Sequence, residues 1–196
     1  MRVIAGTARS LPLKAPEGRK TRPTTDRIKE TLFNMIQTHI PGCVFVDVFS
    51  GSGGIGIEAI SRGARKAYFI DNHSAAVSCI QENLAFTKLQ DRAIVIKQDF
   101  LSALGNIREK EADIVFLDPP YGAGYEKQAL ALLSSLTYIT GNTVIIIEAA
   151  LHEDFSWAKE YGFVLEREKK YKTNKHVFFT VRIPDGGCTG RGIGGA

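Results

Sequence analysis

The sequence predicts an α/β, doubly wound fold whose sheet is mostly parallel, with an antiparallel strand near its end. Three observations carry this. Short β-branched runs alternate with segments whose apolar residues recur every three or four positions. The strand candidates are almost continuously apolar, as strands covered by helices on both faces are. The last two strand candidates have no helical pattern between them, so they form a hairpin.

The strand candidates in order are Val44–Phe49, Ala67–Ile70, Ala93–Lys97, Ile114–Leu117, Val144–Glu148, a piece around Phe163–Glu168, and Val177–Ile183. Helical spacing covers Ile55–Ser61, Ala75–Leu84, Lys127–Leu136 and Glu153–Tyr161. Ahead of this core, Arg2–Ala5 and Leu11–Lys14 read as short strand-like pieces around Gly6-Thr7. Arg22-Pro23-Thr24-Thr25-Asp26 then leads into a helix over Arg27–Ile36, with Thr24 or Thr25 as its cap. The end, 186–196, is glycine-rich without apolar periodicity and reads as a disordered tail. The chain divides into a basic N-terminal extension (1–40), a ligand-binding domain (41–184) and the tail (185–196).

At 196 residues, 44% hydrophobic and 23% charged, the chain has the size and composition of one globular domain. No apolar run reaches the ~18–20 residues that span a bilayer, and residues 1–30 lack a signal-peptide core. Cys43, Cys79 and Cys188 are odd in number and far apart, which fits neither a disulfide framework nor a zinc finger. The expected compartment is the cytoplasm, the expected state a monomer, and no metal is expected.

The net charge of +4 is unevenly placed. Residues 1–42 carry eight basic and three acidic side chains, a balance of +5 that leaves the other 154 residues at −1. A basic front end on a near-neutral body suits a polyanion, although a solvated extension without a partner has the same composition. A second basic stretch, Arg167 to Lys175, is interleaved with Glu166 and Glu168 and reads as an exposed strand face or loop.

Between the first core strand and the first core helix lies Asp47-Val48-Phe49-Ser50-Gly51-Ser52-Gly53-Gly54-Ile55-Gly56. Gly51, Gly53 and Gly56 satisfy the dinucleotide spacing G-x-G-x-x-G; such glycines allow positive φ and close approach of a ligand to the backbone. Asp71, 20 residues after Gly51, ends the next strand, where a carboxylate can bind ribose hydroxyls. Gly56 is followed by Ile57, which excludes a Walker A loop. Asp47 separates the remaining ligands: beside the loop it opposes a pyrophosphate but attracts an ammonium or sulfonium. That favours S-adenosylmethionine over NAD, the alternative the glycine spacing alone permits. Ser50 and Ser52 in the loop, Asn72 beside Asp71, and Asp99 with Phe100 after the third strand complete the candidate cofactor contacts. Asp99 serves equally as a helix cap; its place after the third strand assigns it to the adenine side.

Asp118-Pro119-Pro120-Tyr121 follows the fourth strand directly, at the carboxyl edge where open α/β sheets bind ligands. An exocyclic amine on a nucleobase is a poor nucleophile because its lone pair is delocalised into the ring. The Asp118 carboxylate and the Pro119 carbonyl can each accept one N–H, favouring a tetrahedral nitrogen with its lone pair directed at a methyl donor. The two prolines fix φ and hold that carbonyl rigid. Tyr121 can stack on a base taken out of its helix. Glu148, ending a strand, is a pocket residue, a cap or a surface ion-pair partner. The four histidines, His39, His73, His152 and His176, receive no catalytic role.

On these residues the chain resembles the S-adenosylmethionine-dependent methyltransferases. Asp47–Gly56 matches the first motif of that class, Asp71 its ribose-binding acid, Asp99 its adenine-side acid, and Asp118–Tyr121 its amino-methylating motif. The N-terminal pieces Arg2-Val3-Ile4-Ala5-Gly6, Thr21-Arg22-Pro23-Thr24-Thr25-Asp26-Arg27 and Glu30-Thr31-Leu32-Phe33-Asn34 are similar to the bacterial small-subunit rRNA guanine-N2 methyltransferases, the RsmD family. The resemblance spans about residues 1–183. It implies a seven-stranded Rossmann-like methyltransferase sheet with one antiparallel strand and a short N-terminal β-hairpin/helix extension. It also implies methylation of a guanine amine in 16S rRNA, on naked RNA or an assembling small subunit. Adenine-N6 methyltransferases share the tetrapeptide, so adenine is the alternative target. Arg9, Lys20, Arg22 and Arg27 are the candidate RNA contacts.

Overall fold

A computed structural model describes residues 1–16 and 26–182. Lys20, Arg22, the proposed caps Thr24 and Thr25, and the glycine-rich end lie outside the described residues. The elements run α1 (Asp26–Met35), β1 (Val44–Val48), α2 (Gly54–Ser61), β2 (Lys66–Asp71), α3 (Ser74–Thr87), β3 (Ala93–Lys97), α4 (Phe100–Asn106), β4 (Ile114–Leu117), α5 (Tyr125–Leu133), β5 (Val144–Ala150), β6 (Phe163–Lys170) and β7 (Asn174–Val181). The seven strands form one sheet in the order β3-β2-β1-β4-β5-β7-β6. All neighbours are parallel until β7, which runs antiparallel to both β5 and β6. The fold class is the expected one, including its single reversed strand. The strand order turns back at β1/β4, which by general rule is where an open α/β sheet opens a crevice beyond its strand ends.

Alternation along each strand divides the core in two. Phe45, Phe116, Ile146 and Phe178 face one side, where they meet α1, α2 and α3 residues such as Phe33, Ile57, Ile60 and Ile80. Val46, Val115, Ile145, Ile147 and Phe179 face the other, against Leu104, Leu130 and Leu133. This is the period-2 pattern of a sheet buried on both faces. The outer strand β6 is mostly exposed, carries Glu166, Arg167, Lys169 and Lys170, and has a register shift between Leu165 and Arg167. Charge and a bulge on an edge strand discourage pairing with another chain.

Several boundaries differ from the sequence expectation for identifiable reasons. β1 stops at Val48 because Phe49 takes φ 64°. α4 has no counterpart among the expected helices; it has seven residues, ends near Gly105, and is started by Asp99, whose carboxylate accepts the Ser102 amide at 3.0 Å. The segment before Gly162 is a 3-10 helix over Ser156–Tyr161 rather than a longer α-helix, and Gly162 closes it at φ 80°. The N-terminal pieces make one antiparallel bridge, Arg2 to Pro12, instead of two strands; Pro12 has no N–H to extend the ladder.

The N-terminal segment is fastened to the body. Val3, Ala8 and Leu13 join the first core cluster with Leu32 and Phe33 of α1. Glu58 of α2 accepts the Ile4 amide at 2.7 Å and the Ala5 amide at 3.0 Å. Its carboxylate also pairs with Lys29 of α1 at 3.3 Å, with both side chains fully buried, and with Arg62 at 2.7 Å. Burial pushes the Lys29 ammonium down and Glu58 pulls it back. A buried carboxylate with this many donors is expensive to strip of one partner. Among the described residues no helix is long and apolar enough to cross a membrane.

Candidate active site

The carboxyl ends of β1, β2, β4 and β5 open on one cavity of about 620 Å³, within the range of small-molecule and cofactor sites. Asp47, Phe49, Ser50, Gly51, Ser52 and Gly54 from the β1–α2 connection line it, with Asp71, Asn72 and His73 after β2. Asp118, Pro119, Pro120 and Tyr121 line the same cavity from the end of β4. The glycine loop and the tetrapeptide, 62 or more residues apart in sequence, therefore share one site.

The loop is held from beneath. Ser50 Oγ donates to the Asp47 carbonyl at 2.6 Å and accepts the Ile70 amide at 2.9 Å, which ties the end of β1 to β2. Phe49, Gly51 and Gly53 take φ of 64°, 57° and 75°. For Phe49, with a Cβ, this is a strained conformation of the kind that clusters at functional sites. Its ring packs on Phe100 at 4.9 Å and Tyr125 at 5.7 Å, contacts that hold it there. Gly56 is required for packing: a Cβ there would lie 2.4 Å from the Phe69 ring of β2. The third fingerprint glycine thus lets α2 sit against the sheet.

The two acids of the loop region behave differently. Asp71 accepts the Gly51 amide at 3.0 Å through one oxygen and the His73 amide at 2.9 Å through the other. Asp47 is 2% exposed and accepts the Gly56 amide at 2.9 Å. Burial pushes its carboxyl up to about 7, the Gly56 amide opposes the rise, and Asp71 adds to it. An acid poised near neutrality on a cavity wall is suited to a cationic ligand, whose charge stabilises the carboxylate. The acceptor carboxylates of Asp47 and Asp71 beside the loop fit ribose hydroxyls and a cationic tail better than a pyrophosphate.

Not every expected residue reaches the cavity. Gly53 and Gly56 act from behind the loop. Asp99 caps α4, its carboxyl held below the usual carboxylate range by the Ser102 hydroxyl and amide. Phe100 packs on Phe49 and Tyr125, and neither it nor Asp99 lines the cavity. Arg9 and Arg27 are exposed. Lys175, placed by the sequence on an exposed face, is buried, donating to Glu168 at 2.6 Å and to the Glu153 carbonyl at 2.7 Å.

Two further groups line the cavity; of their members only Glu148 was among the expected pocket candidates. Met1, Ala15, Pro16 and Ile28 from the N-terminal region form an apolar part of the wall. On the side of β5 and β7, Glu148, Thr173 and Asn174 line the cavity. Glu148 accepts Asn174 Nδ2 at 2.6 Å and lies 3.1 Å from His176 Nε2, so it is a buried network residue rather than a surface partner. Among the described residues no group of three or more His, Cys, Asp or Glu could hold a metal ion.

Residues 1–180 match the family described as "Conserved hypothetical protein 95". The chain is 39% identical over 150 residues to "Putative rRNA methyltransferase YlbH" of Bacillus subtilis, covering 76% of this chain and 82% of that protein. It is 38% identical over 154 residues to "Ribosomal RNA small subunit methyltransferase D" of Haemophilus influenzae, covering 76% and 78%. The solved structure "Putative methyltransferase yhhF from Escherichia coli" superposes with a TM-score of 0.82 at 31% identity, over 93% of this chain and 98% of that one. Fold, matched span and relatives agree: this chain belongs to the conserved hypothetical protein 95 family, that of ribosomal RNA small subunit methyltransferase D.

Proposed function

We propose that the protein transfers a methyl group from S-adenosylmethionine to the exocyclic N2 amine of a guanine in 16S rRNA. The observation that carries this reading is that Asp118-Pro119-Pro120-Tyr121 and the glycine loop with Asp47 and Asp71 line one cavity. The relatives named for small-subunit rRNA methylation supply the substrate class. An NAD reading has only the glycine spacing behind it, and the buried Asp47 beside the loop opposes a pyrophosphate.

The cofactor's part is to present an electrophilic methyl group on a sulfonium and to leave as a neutral thioether. The chain does the rest. Asp71, with Asn72 beside it, takes the ribose hydroxyls. Asp47 attracts the cationic end, and the Gly51–Ser52 backbone lets the ligand approach closely. Asp118 and the Pro119 carbonyl accept the two N–H bonds of the amine and turn its lone pair toward the methyl carbon. With the cofactor bound, its C–S electron pair would stay on sulfur as the N–C bond forms, and the amine would shed its proton through the Asp118 carboxylate to solvent. Tyr121, half exposed at the cavity mouth, stacks on the flipped base, worth roughly 1–3 kcal/mol. Alignment of amine and methyl donor is the larger effect, at about 7–11 kcal/mol. Arg9 and Arg27, exposed and outside the cavity lining, dock the RNA backbone, and Lys20 and Arg22 take the same role on the strength of the sequence alone. Such a substrate places the protein in the cytoplasm.

The test is to incubate the protein and isotopically labelled methyl donor with small ribosomal subunits from a strain lacking the gene. Digestion and mass spectrometry are expected to yield a single N2-methylguanine. Label on adenine-N6 would replace guanine as the target, and label on free DNA in preference to subunits would reject the substrate class.

A further inference from the structure

Asn174 opens strand β7 and lines the cavity, yet the residue is only 5% exposed. Its Nδ2 donates to Glu148 Oε1 at 2.6 Å. Its Oδ1 is the one buried side-chain N or O atom without a hydrogen-bond partner among the described residues. A buried amide oxygen left unpaired costs about 1–3 kcal/mol, so its retention at a ligand cavity calls for a donor from the ligand.

Which end of the amide is free follows from its neighbours. Glu148 can only accept when ionised, so it selects the NH2 end of Asn174 and leaves the oxygen over. Glu148 is itself fixed from the other side by His176, 3.1 Å from Oε2 and fully buried. His176 Nδ1 lies 3.2 Å from the Tyr171 hydroxyl. Burial and Glu148 push that phenol up to about 12, so Tyr171 stays a donor. The Tyr171 hydroxyl meets His176 Nδ1, His176 Nε2 meets Glu148, and Glu148 orients Asn174. The chain of polar groups terminates in one unsatisfied acceptor.

Its position matches the chemistry of a base. Leu117 pairs with Ile147, so Asp118 and Glu148 stand side by side at the same edge of β4 and β5. Glu148 pairs with His176, and Ala150 with Asn174, on the next strand. β4 and β7 are thus two strand spacings, about 10 Å, apart across the sheet, and Asn174, level with Ala150, stands two residues further out than Glu148, so a base held between them would have Asp118 on one side and Asn174 on the other. Guanine presents adjacent N2–H and N1–H donors on its Watson–Crick edge. Adenine and 2-aminopurine present an unprotonated N1 acceptor there.

We propose that Asn174 is a specificity-determining residue: its Oδ1 accepts the N1–H of the guanine whose N2 amine faces Asp118. Glu148 and His176 are positioning residues for it. This inference rests on the guanine-N2 reading and adds the contact that selects guanine among purines.

The experiment uses small subunits reconstituted around 16S rRNA carrying either guanine or 2-aminopurine at the methylated position. Both bases offer the 2-amino group, but 2-aminopurine sets a lone pair against Oδ1. The wild-type protein is expected to favour guanine in kcat/KM by about 5- to 150-fold, the span of one buried, unmatched polar contact. Asn174→Ala is expected to bring the ratio to within about threefold of unity, chiefly through slower reaction on guanine, with S-adenosylmethionine affinity unchanged by calorimetry. Equal wild-type rates on the two bases overturn the proposal without recourse to any variant. So does a variant that slows both bases equally with its ratio intact, or one that loses cofactor affinity instead. If the wild-type protein methylates neither base at N2, the guanine-N2 reading itself falls, an outcome distinct from equal methylation of both.

Discussion

Asp47→Asn tests whether a buried acid at the foot of the glycine loop is kept at a cost to stability. The carboxyl is 2% exposed and is raised by burial from 3.8 to about 7. Since the folded value is the higher, the folded state holds the proton more tightly than the unfolded chain. The contribution of Asp47 to stability is therefore full below about pH 4, falls as pH rises, and levels off above about pH 7. Asparagine retains an oxygen for the Gly56 amide and has no charge to desolvate. Relative to wild type, the variant is expected to gain about 2–3 kcal/mol on going from pH 5 to pH 8. Urea unfolding at the two pH values measures this as a difference of differences, from which any fixed packing penalty of the substitution cancels. A difference between variant and wild type that stays constant across pH refutes the reasoning.

The same residue predicts a linked effect on the cofactor. A cationic ligand stabilises the charged carboxylate, so binding at pH 6.5 is expected to release about three quarters of a proton from a group titrating near 7. Calorimetry of S-adenosylmethionine binding in buffers of different ionisation enthalpy counts that proton. The asparagine variant is expected to release none and to bind more weakly. Equal proton release by the two proteins would remove Asp47 from cofactor binding.

Asp118→Ala is expected to leave S-adenosylmethionine affinity within about threefold while lowering kcat by about 10²–10³; unchanged turnover in a single-turnover assay excludes Asp118 from the chemistry. Gly56→Ala sets a Cβ 2.4 Å from the Phe69 ring and is expected to cost about 1–3 kcal/mol in thermal unfolding, with no loss if the helix can shift freely. Replacing exposed Arg9 and Arg27 together by alanine is expected to reduce the slope of log K for RNA against log salt by about 1–2. An unaltered slope would move the docking surface elsewhere.

The sheet was legible in the sequence because it is buried on both faces, and Val44–Val48, Ile114–Leu117 and their neighbours are apolar at nearly every position. What hydropathy could not reveal was buried polarity. Asn174, Lys175 and His176 are at most 5% exposed and begin β7, but the apolar pattern starts the strand only at Val177, and Lys175 was expected on an exposed strand face or loop. Each is buried because it has a charged or polar partner brought by another element: Glu148 for Asn174 and His176, Glu168 for Lys175. Those partners lie 7 to 28 residues away and leave no periodic trace. The same holds for Met1 and Ile28, whose place on the cavity wall depends on long-range pairing with α2 through Glu58. Asp118 and the glycine loop could be found because chemistry limits the residue types there.

The electrostatics of the cavity explain why a basic protein would present RNA to an acidic site. Asp47, Asp71, Asp118 and Glu148 line the cavity, and none of its lining residues among those described is Lys or Arg. Such a wall attracts a sulfonium and an ammonium and repels phosphate. The positive charge lies instead in the N-terminal 42 residues, with Arg9 and Arg27 at the surface. On the proposed function, this distribution would hold a polyanion outside and admit only a neutral group. The base must leave its helix to meet this condition, which is the same requirement that reaching an exocyclic amine imposes. On that reading, acid within and base without are two halves of one arrangement: the charge that would draw the cofactor in is the charge that would keep the RNA backbone out.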